Sequence, residues 1–206
     1  MSVVINIQNI FPIPIYTSSI DSVKIKKQII DSIEFGEQIG NNVSLSYDDR
    51  ILDDSRLKKL KDEIDNHVAY FFHEILGYSE ACKTVHSSSW FVKSNSGQRT
   101  IDHTHANSLI SGVFYIKTPK DSGDLIFIDN MPQVLSNVIV PDIKRQTLYN
   151  DRSYRITPSE NMLLLFPSYL KHQVDYNKSN DTRLSLAFNY FIKGELSSRT
   201  GRLTLK

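Results

Sequence analysis

The clearest feature of the chain is a helical pattern of apolar residues between positions 55 and 77. Large apolar side chains recur there every three or four residues: Leu57, Leu60, Ile64, Val68, Phe71 and Ile75. This spacing predicts an amphipathic helix that ends at Gly77. A second set with helical spacing, Ile25, Ile29, Ile30 and Ile33, predicts a helix over 21–34. We expect residues 21–77 to form a helical support, with a polar loop at 40–50.

After residue 80 the pattern changes to short β-branched and aromatic runs that are separated by turn residues. These runs predict strands at 82–94, 99–105, 109–118, 123–129, 146–149, 153–156, 161–166, 170–176 and 182–192. Alternation over 3–16 predicts further extended edge segments that flank the core. The segment 130–145 contains two prolines and alternates poorly, which predicts a long loop over one end.

The predicted fold class is therefore mainly β with flanking helices. We expect a β barrel or sandwich over 82–192, and one domain over residues 1–206, because this length is typical of a single core.

Composition excludes several kinds of partner. The chain has 24 basic and 23 acidic residues and a net charge of +1, so no charge excess indicates nucleic acid or an anionic membrane. Its one cysteine, Cys82, cannot form an internal disulfide, and no run reaches the roughly 18 apolar residues of a membrane span. We expect a soluble cytoplasmic protein whose partner is a small molecule or a peptide. The basic tail at 197–206 is expected to be frayed or to contact a second copy in a homodimer.

The first chemical signal is the triplet His103-Thr104-His105. Side chains two apart on a strand point to the same side, so the two imidazoles are expected to face one way. Such a pair suits a metal ion, although two solvated histidines on an exposed strand face would give the same triplet.

A second signal lies further along the chain. His172 follows the apolar strand that ends at Pro167, and Arg183 and Ser185 share one face of the strand 182–192. An arginine aimed into the interior is costly unless an anion meets it. A carboxylate ligand held by the guanidinium and the hydroxyl is the simplest interpretation, and an edge strand with a wet polar face is the alternative.

The order of these residues resembles the iron(II)- and 2-oxoglutarate-dependent oxygenases, and is most similar to a family of them with an H-x-H signature. The resemblance covers about residues 88–192 and rests on an ordered set: His103-x-His105, SGVFYI, DSGDLIF, PSENMLLLFPSYLKH and Arg183-x-Ser185. It implies a double-stranded β-helix, a jelly-roll barrel of cupin-like topology whose open end holds the metal. It also implies Fe(II) as the metal and 2-oxoglutarate as cosubstrate.

The resemblance implies roles for particular side chains. His103 and His172 would be the two histidine ligands of the iron, and Arg183 and Ser185 would bind the distal carboxylate of 2-oxoglutarate. Three further residues would line the pocket: Tyr115 as an additional contact, and Asn95 and Asn189 as polar groups. The implied activity is a dioxygenase that hydroxylates an unidentified substrate and releases succinate and CO₂.

One position departs from the usual oxygenase pattern. The usual signature is His-x-Asp or His-x-Glu, which completes a site of two histidines and one carboxylate, whereas this chain has His105 at the carboxylate position. Three histidines are the preferred reading, because strand parity already presents His105. A carboxylate such as Asp102 or Asp124 is the alternative third ligand.

The sequence also resembles the cupins, and this resemblance is an alternative to the oxygenase family. Gly97, His103-x-His105, Pro167 and His172 are similar to the two cupin motifs, although Leu109 and Ile110 stand where the cupin glutamate would be and Tyr169 replaces a cupin glycine. The alternatives to the oxygenase are therefore a cupin-type metal-dependent isomerase or dioxygenase without 2-oxoglutarate, or a non-catalytic binding barrel.

Overall fold

The structure is a computed structural model that describes residues 5–37, 43–129, 142–197 and 199–206. Two α-helices are present in these ranges: α1 (Lys27–Asp31) and α2 (Lys58–Tyr70). Two 3₁₀ turns, Ile51–Asp53 and Ser55–Leu57, precede α2, and a π-helical turn, Phe71–Ile75, continues it. None of the described helices is long and apolar enough to cross a bilayer.

Twelve strands are described. Their bounds are β1 (Tyr16–Ser19), β2 (Phe35–Glu37), β3 (Ser44–Ser46), β4 (Cys82–Ser94), β5 (Thr100–His103), β6 (Ile110–Lys117), β7 (Leu125–Ile128), β8 (Ser153–Ile156), β9 (Met162–Pro167), β10 (His172–Val174), β11 (Arg183–Leu196) and β12 (Leu203–Leu205).

The strands form two sheets. The larger has the order β1-β9-β6-β11-β4-β3-β2, with β12 paired to β11, and the smaller has the order β5-β10-β7-β8. All of the pairings between these strands are antiparallel. This architecture is the predicted double-stranded β-helix, but over the described residues its sheets do not close into a barrel.

The larger sheet is buried on both faces, because its strands alternate. Leu184, Leu186 and Phe188 of β11 belong to a core cluster that also holds Leu60 and Ile64 of α2. On the opposite face, a second cluster joins the two sheets through Tyr115, Leu125, Phe127, Leu164, Phe166 and Leu170. The larger sheet is thus a middle layer, with the helix behind it and the smaller sheet in front.

Several sequence predictions need correction at the helical end. The helix predicted over 21–34 is only five residues long, because its N-cap has no side-chain hydrogen bond and it buries only Ile29. The predicted loop at 40–50 contains β3, which pairs with β2 and β4. Extended structure predicted over 3–16 becomes a paired edge strand only at β1, and Ile5, Ile7, Ile10 and Phe11 are exposed.

Two further predictions fail in the β region, and one cannot be compared. No strand forms at 146–149, because Thr147 closes a turn in which its carbonyl accepts from the Asn150 and Asp151 amides. Of the two alternatives for the tail, fraying is wrong at Leu203–Leu205, where β12 pairs with β11, and a contact with a second copy stays a prediction. Most of the loop predicted at 130–145, residues 130–141, lies outside the described residues.

Candidate metal centre and adjoining pocket

Three histidines converge between the two sheets. His103 ends β5 and His172 begins β10, and the two residues are partners across these antiparallel strands. His105 follows β5, and its ring centroid lies 5.0 Å from that of His103 and 5.1 Å from that of His172. One ligand nitrogen from each imidazole lies within 4.8 Å of the others. Since nitrogens bind a metal at about 2.1 Å, small side-chain adjustments suffice for a common ion.

Backbone carbonyls orient two of the rings. Nδ1 of His103 lies 2.9 Å from the Ile101 carbonyl oxygen, and Nδ1 of His172 lies 2.8 Å from that of Leu170. A carbonyl can only accept, so each Nδ1 carries the proton and each Nε2 keeps a lone pair for a metal.

Burial keeps the imidazoles of His105 and His172 neutral. It lowers the pKa of His172 to about 3, helped by the nearby His103, and burial and His103 together lower the pKa of His105 to about 4. The ring of His172 packs against Phe166, with ring centroids 4.8 Å apart. Neutral imidazole is the form that binds a metal, so these two residues are ready to bind at neutral pH.

The two carboxylates considered as third ligands have cationic partners instead. Asp102 is paired with Lys171, whose ammonium hydrogen-bonds to it and lowers its pKa. Asp124 lies 3.9 Å from the Arg155 guanidinium. Neither belongs to the cluster of possible ligand atoms among the described residues, which consists of the three histidines.

A cavity of about 600 Å³ adjoins the histidines and contains a buried arginine. Arg183 is 2% exposed, and its Nη1 donates to the carbonyl oxygens of Ser122 and Gly123 at 3.1 and 3.2 Å. Its Nε is buried with no hydrogen-bond partner, and no carboxylate pairs with it among the described residues. A buried cation left in this state is costly, so the pocket has the chemistry to receive an anion.

Neighbouring strands surround the guanidinium with cavity-lining side chains. Ser185 of β11 is the cross-strand partner of Tyr115 on β6 and of Val92 on β4. Tyr115 is 3% exposed, and burial raises the pKa of its phenol to about 12, so it stays a protonated donor. Arg183, Ser185 and Tyr115, each named from the sequence, thus lie in one pocket.

The structure places the two predicted asparagines elsewhere. Asn95 is exposed at the end of β4, where its Oδ1 accepts a hydrogen bond from Thr182 at 2.7 Å. Asn189 is buried, but it accepts from Ser111 Oγ at 2.7 Å and donates to Ser88 Oγ at 3.1 Å. Neither lines the described cavity, because Asn95 lies beyond the end of β4 and the side chain of Asn189 is held by Ser111 and Ser88.

Part of the cavity wall was missed from the sequence. Leu45 of β3, Tyr47 and Asp49 all line the cavity, yet they fall in the segment predicted to be a polar loop. The signal was the short alternation around Leu45, which serines on both sides obscured. Trp90, the only tryptophan, also lines the cavity, and its ring centroid lies 5.9 Å from that of His105.

The family comparison agrees with this geometry. The sequence model of the family described as "Putative 2OG-Fe(II) oxygenase" matches residues 88–189, which span about half of the chain and include all three histidines and the arginine. The chain belongs to this family. No curated protein matches it.

Solved structures similar to this oxygenase-family chain share its fold. A prolyl hydroxylase from Trichoplax adhaerens, solved with a peptide fragment of hypoxia inducible factor, has a TM-score of 0.55 at 16% identity, covering 80% of this chain and 73% of that one. HygX from Streptomyces hygroscopicus, with nickel and 2-oxoglutarate bound, has a TM-score of 0.55 at 10% identity, covering 80% of this chain and 75% of that one. The non-heme alpha-ketoglutarate-dependent epimerase SnoN from nogalamycin biosynthesis has a TM-score of 0.57 at 11% identity, covering 84% of this chain and 72% of that one.

Proposed function

We propose that this family member is an Fe(II)- and 2-oxoglutarate-dependent dioxygenase that hydroxylates an unidentified substrate and releases succinate and CO₂. The observation that carries the proposal is the convergence of three histidines beside a buried arginine that lacks a carboxylate partner among the described residues. The proposed substrate is a small molecule or a peptide, as a peptide accompanies the Trichoplax adhaerens enzyme.

His103, His105 and His172 would hold the iron. Three imidazoles are neutral ligands, so the ion would keep its full +2 charge, which favours a dianionic cosubstrate and weakens metal retention. The cluster fits the metal because two of its rings already have a fixed tautomer and all three nitrogens face one another.

Arg183 would pair with the distal carboxylate of 2-oxoglutarate. Its unpartnered Nε supports this role, and the hydroxyls of Ser185 and Tyr115 can donate hydrogen bonds to the same carboxylate. The metal and 2-oxoglutarate together would supply the oxidation of the substrate by dioxygen. The chain's own contribution is to hold the cosubstrate in one orientation and to exclude water with the apolar residues between the two sheets.

We propose hydroxylation rather than another oxidation because the structurally similar Trichoplax adhaerens enzyme is a prolyl hydroxylase. Because SnoN is an epimerase, the same fold also accommodates another outcome. The assay should therefore measure succinate as well as the product.

An anaerobic titration with Fe(II), with and without 2-oxoglutarate, tests the proposal. We expect a visible charge-transfer band only when both are present, and succinate once oxygen is admitted. His172→Ala should lower Fe(II) affinity by more than about 100-fold, since even groups that only orient a ligand contribute about 10–100-fold. His73→Ala, on the π-helical turn outside the cavity, is the matched control.

The arginine supplies a second arm of the same experiment. Arg183→Met should weaken 2-oxoglutarate binding by about 2–5 kcal/mol while Fe(II) affinity is unchanged. Arg155→Met removes an exposed guanidinium and should change neither. If the protein binds Fe(II) but does not bind 2-oxoglutarate, the result would instead favour the cupin-type activity. If it binds no metal, the result would favour the non-catalytic barrel.

A further inference from the structure

The charges that line the cavity are unevenly distributed. Apart from the histidines and Arg183, the only charged residue among the described lining residues is Asp49, and most of the others are apolar or aromatic. Asp49 follows β3, which pairs with β4 on the side away from β11 and β6. Asp49 therefore lines the cavity near the β2–β3 end of the sheet, whereas Arg183 lies on the central strand β11.

Hydrogen bonds to β4 fix the backbone around Asp49. Its carbonyl oxygen accepts from the Ser89 amide at 2.7 Å, and the Leu52 amide donates to Ser89 Oγ at 2.9 Å. On the other side of Asp49, Ser46 Oγ accepts from the Phe91 amide at 3.0 Å. Although its side chain is exposed, Asp49 thus has a defined position.

No cation within the described residues neutralises the Asp49 carboxylate. The nearest arginine in sequence, Arg50, is occupied elsewhere: its Nε donates to Asp53 at 2.8 Å and its Nη1 to the Ser87 carbonyl at 2.9 Å. The Asp49 carboxylate therefore remains free to pair with a bound ligand.

Two aromatic residues line the cavity together with Asp49. Tyr47 is 73% exposed, and its ring lies against Gly36, where an added Cβ would be 2.7 Å from Tyr47 Cε1. Trp90 lies beside His105. An aromatic face attracts a cation, so the two rings and the carboxylate of this cavity all favour a positively charged ligand.

We propose that the substrate carries a cationic group, an alkylammonium or a guanidinium, on an apolar body, and that Asp49 pairs with this cation beside Tyr47 and Trp90. The apolar body would lie against Val43, Leu45 and Val92, which line the same cavity. The inference rests on the proposed function only in treating the bound molecule as the substrate.

Three probes with one apolar body test this: 4-phenylbutylamine, 4-phenylbutanol and 4-phenylbutanoate, which carry a positive, neutral and negative head group. Each is titrated into the full chain, both metal-free and loaded with Ni(II) and 2-oxoglutarate, by calorimetry and by the fluorescence of Trp90. We expect the amine to bind at least fivefold more tightly than the alcohol, and the acid most weakly in the loaded protein.

Variants identify the residue responsible. Asp49→Asn should remove the preference for the amine over the alcohol, and Tyr47→Ala should weaken both. Asp62→Asn, at an exposed carboxylate on α2, is the control and should leave the preference intact. Circular dichroism checks that each variant folds.

Three outcomes overturn the inference: equal affinities for amine and alcohol, an unchanged preference in Asp49→Asn, or no binding of any probe at millimolar concentration. These results are separate from the fate of the proposed function. An Asp49-dependent amine preference in a protein that does not bind 2-oxoglutarate would sustain the inference and remove the oxygenase. Succinate formation without any amine preference would do the reverse.

Discussion

At the scale of single residues, the three histidines are positioned in two different ways. His103 and His172 each donate Nδ1–H to the carbonyl two residues earlier, so the local strand geometry sets the orientation of both rings. His105 lies beyond the end of β5, and its ring is placed by contact with Trp90 and the other two imidazoles. The His105 amide donates to the Ser168 carbonyl oxygen at 3.2 Å, so a hydrogen bond holds the backbone of the third ligand while packing places its ring.

Substitutions at the third position distinguish the two candidate ligand sets. His105→Ala should weaken Ni(II) binding by more than about tenfold, because a lost ligand costs at least as much as a lost orienting group. Asp102→Asn should leave the affinity within about twofold, because its carboxylate is paired with Lys171 and an exposed pair contributes little. Calorimetry with Ni(II) measures both.

The variant Asp124→Asn tests the other candidate carboxylate. Like Asp102→Asn, it should leave the Ni(II) affinity within about twofold of wild type. A large loss of Ni(II) affinity in either aspartate variant, with none in His105→Ala, would mean that the metal is held by two histidines and a carboxylate.

Most of the site residues could be named from the sequence because their signals are local and chemical. Arg183 and Ser185 both lie within β11, so alternation places both side chains on the cavity face. The His-x-His triplet was identified by its chemistry, but β5 ends at His103, so strand parity does not position His105 as the sequence predicted. Asn95 and Asn189 could not be assigned in the same way. Asn95 lies beyond the end of β4, and Asn189 is bonded to Ser111 and Ser88, and alternation alone reveals neither fact.

At the scale of elements, the bounds of some strands were predicted better than those of the short helix. β4 at 82–94 and β8 at 153–156 match their predicted bounds, because turn residues delimit these β-branched and aromatic runs. The helix predicted over 21–34 is reduced to Lys27–Asp31, because its N-cap has no side-chain hydrogen bond and it buries only Ile29. The hairpin of β2 and β3 was missed, because its short strands depend on pairing with β4 rather than on local preference.

The stripe of α2 makes an element-scale prediction. Leu60 is fully buried against the larger sheet, so Leu60→Ala should lower the free energy of unfolding by about 2–5 kcal/mol. Ile75 belongs to the same sequence stripe but is 48% exposed, so Ile75→Ala should cost much less. Urea unfolding of both variants measures the difference. Equal losses would show that burial does not determine the contribution of this stripe.

At the scale of the whole molecule, the larger sheet links the helix to the candidate site. One face of β11 packs on α2 through Leu184, Leu186 and Phe188, and the opposite face presents Arg183 and Ser185 to the cavity. A rigid backbone strand thus connects the helical support to the pocket. We propose on this basis that residues 1–206 are one domain, with 21–77 and 82–192 unable to fold separately.

Cooperative unfolding tests the single domain. Circular dichroism reports on the whole fold and the fluorescence of Trp90 reports on the cavity, so their midpoints should coincide in one domain. Leu60→Ala, far from the cavity, should then lower both midpoints equally, by about 2–4 °C for each kcal/mol lost. A fluorescence midpoint that stays at the wild-type temperature while the ellipticity midpoint falls would divide the chain into two units. The helix would then be an attachment, and the sheets alone would hold the three histidines in place.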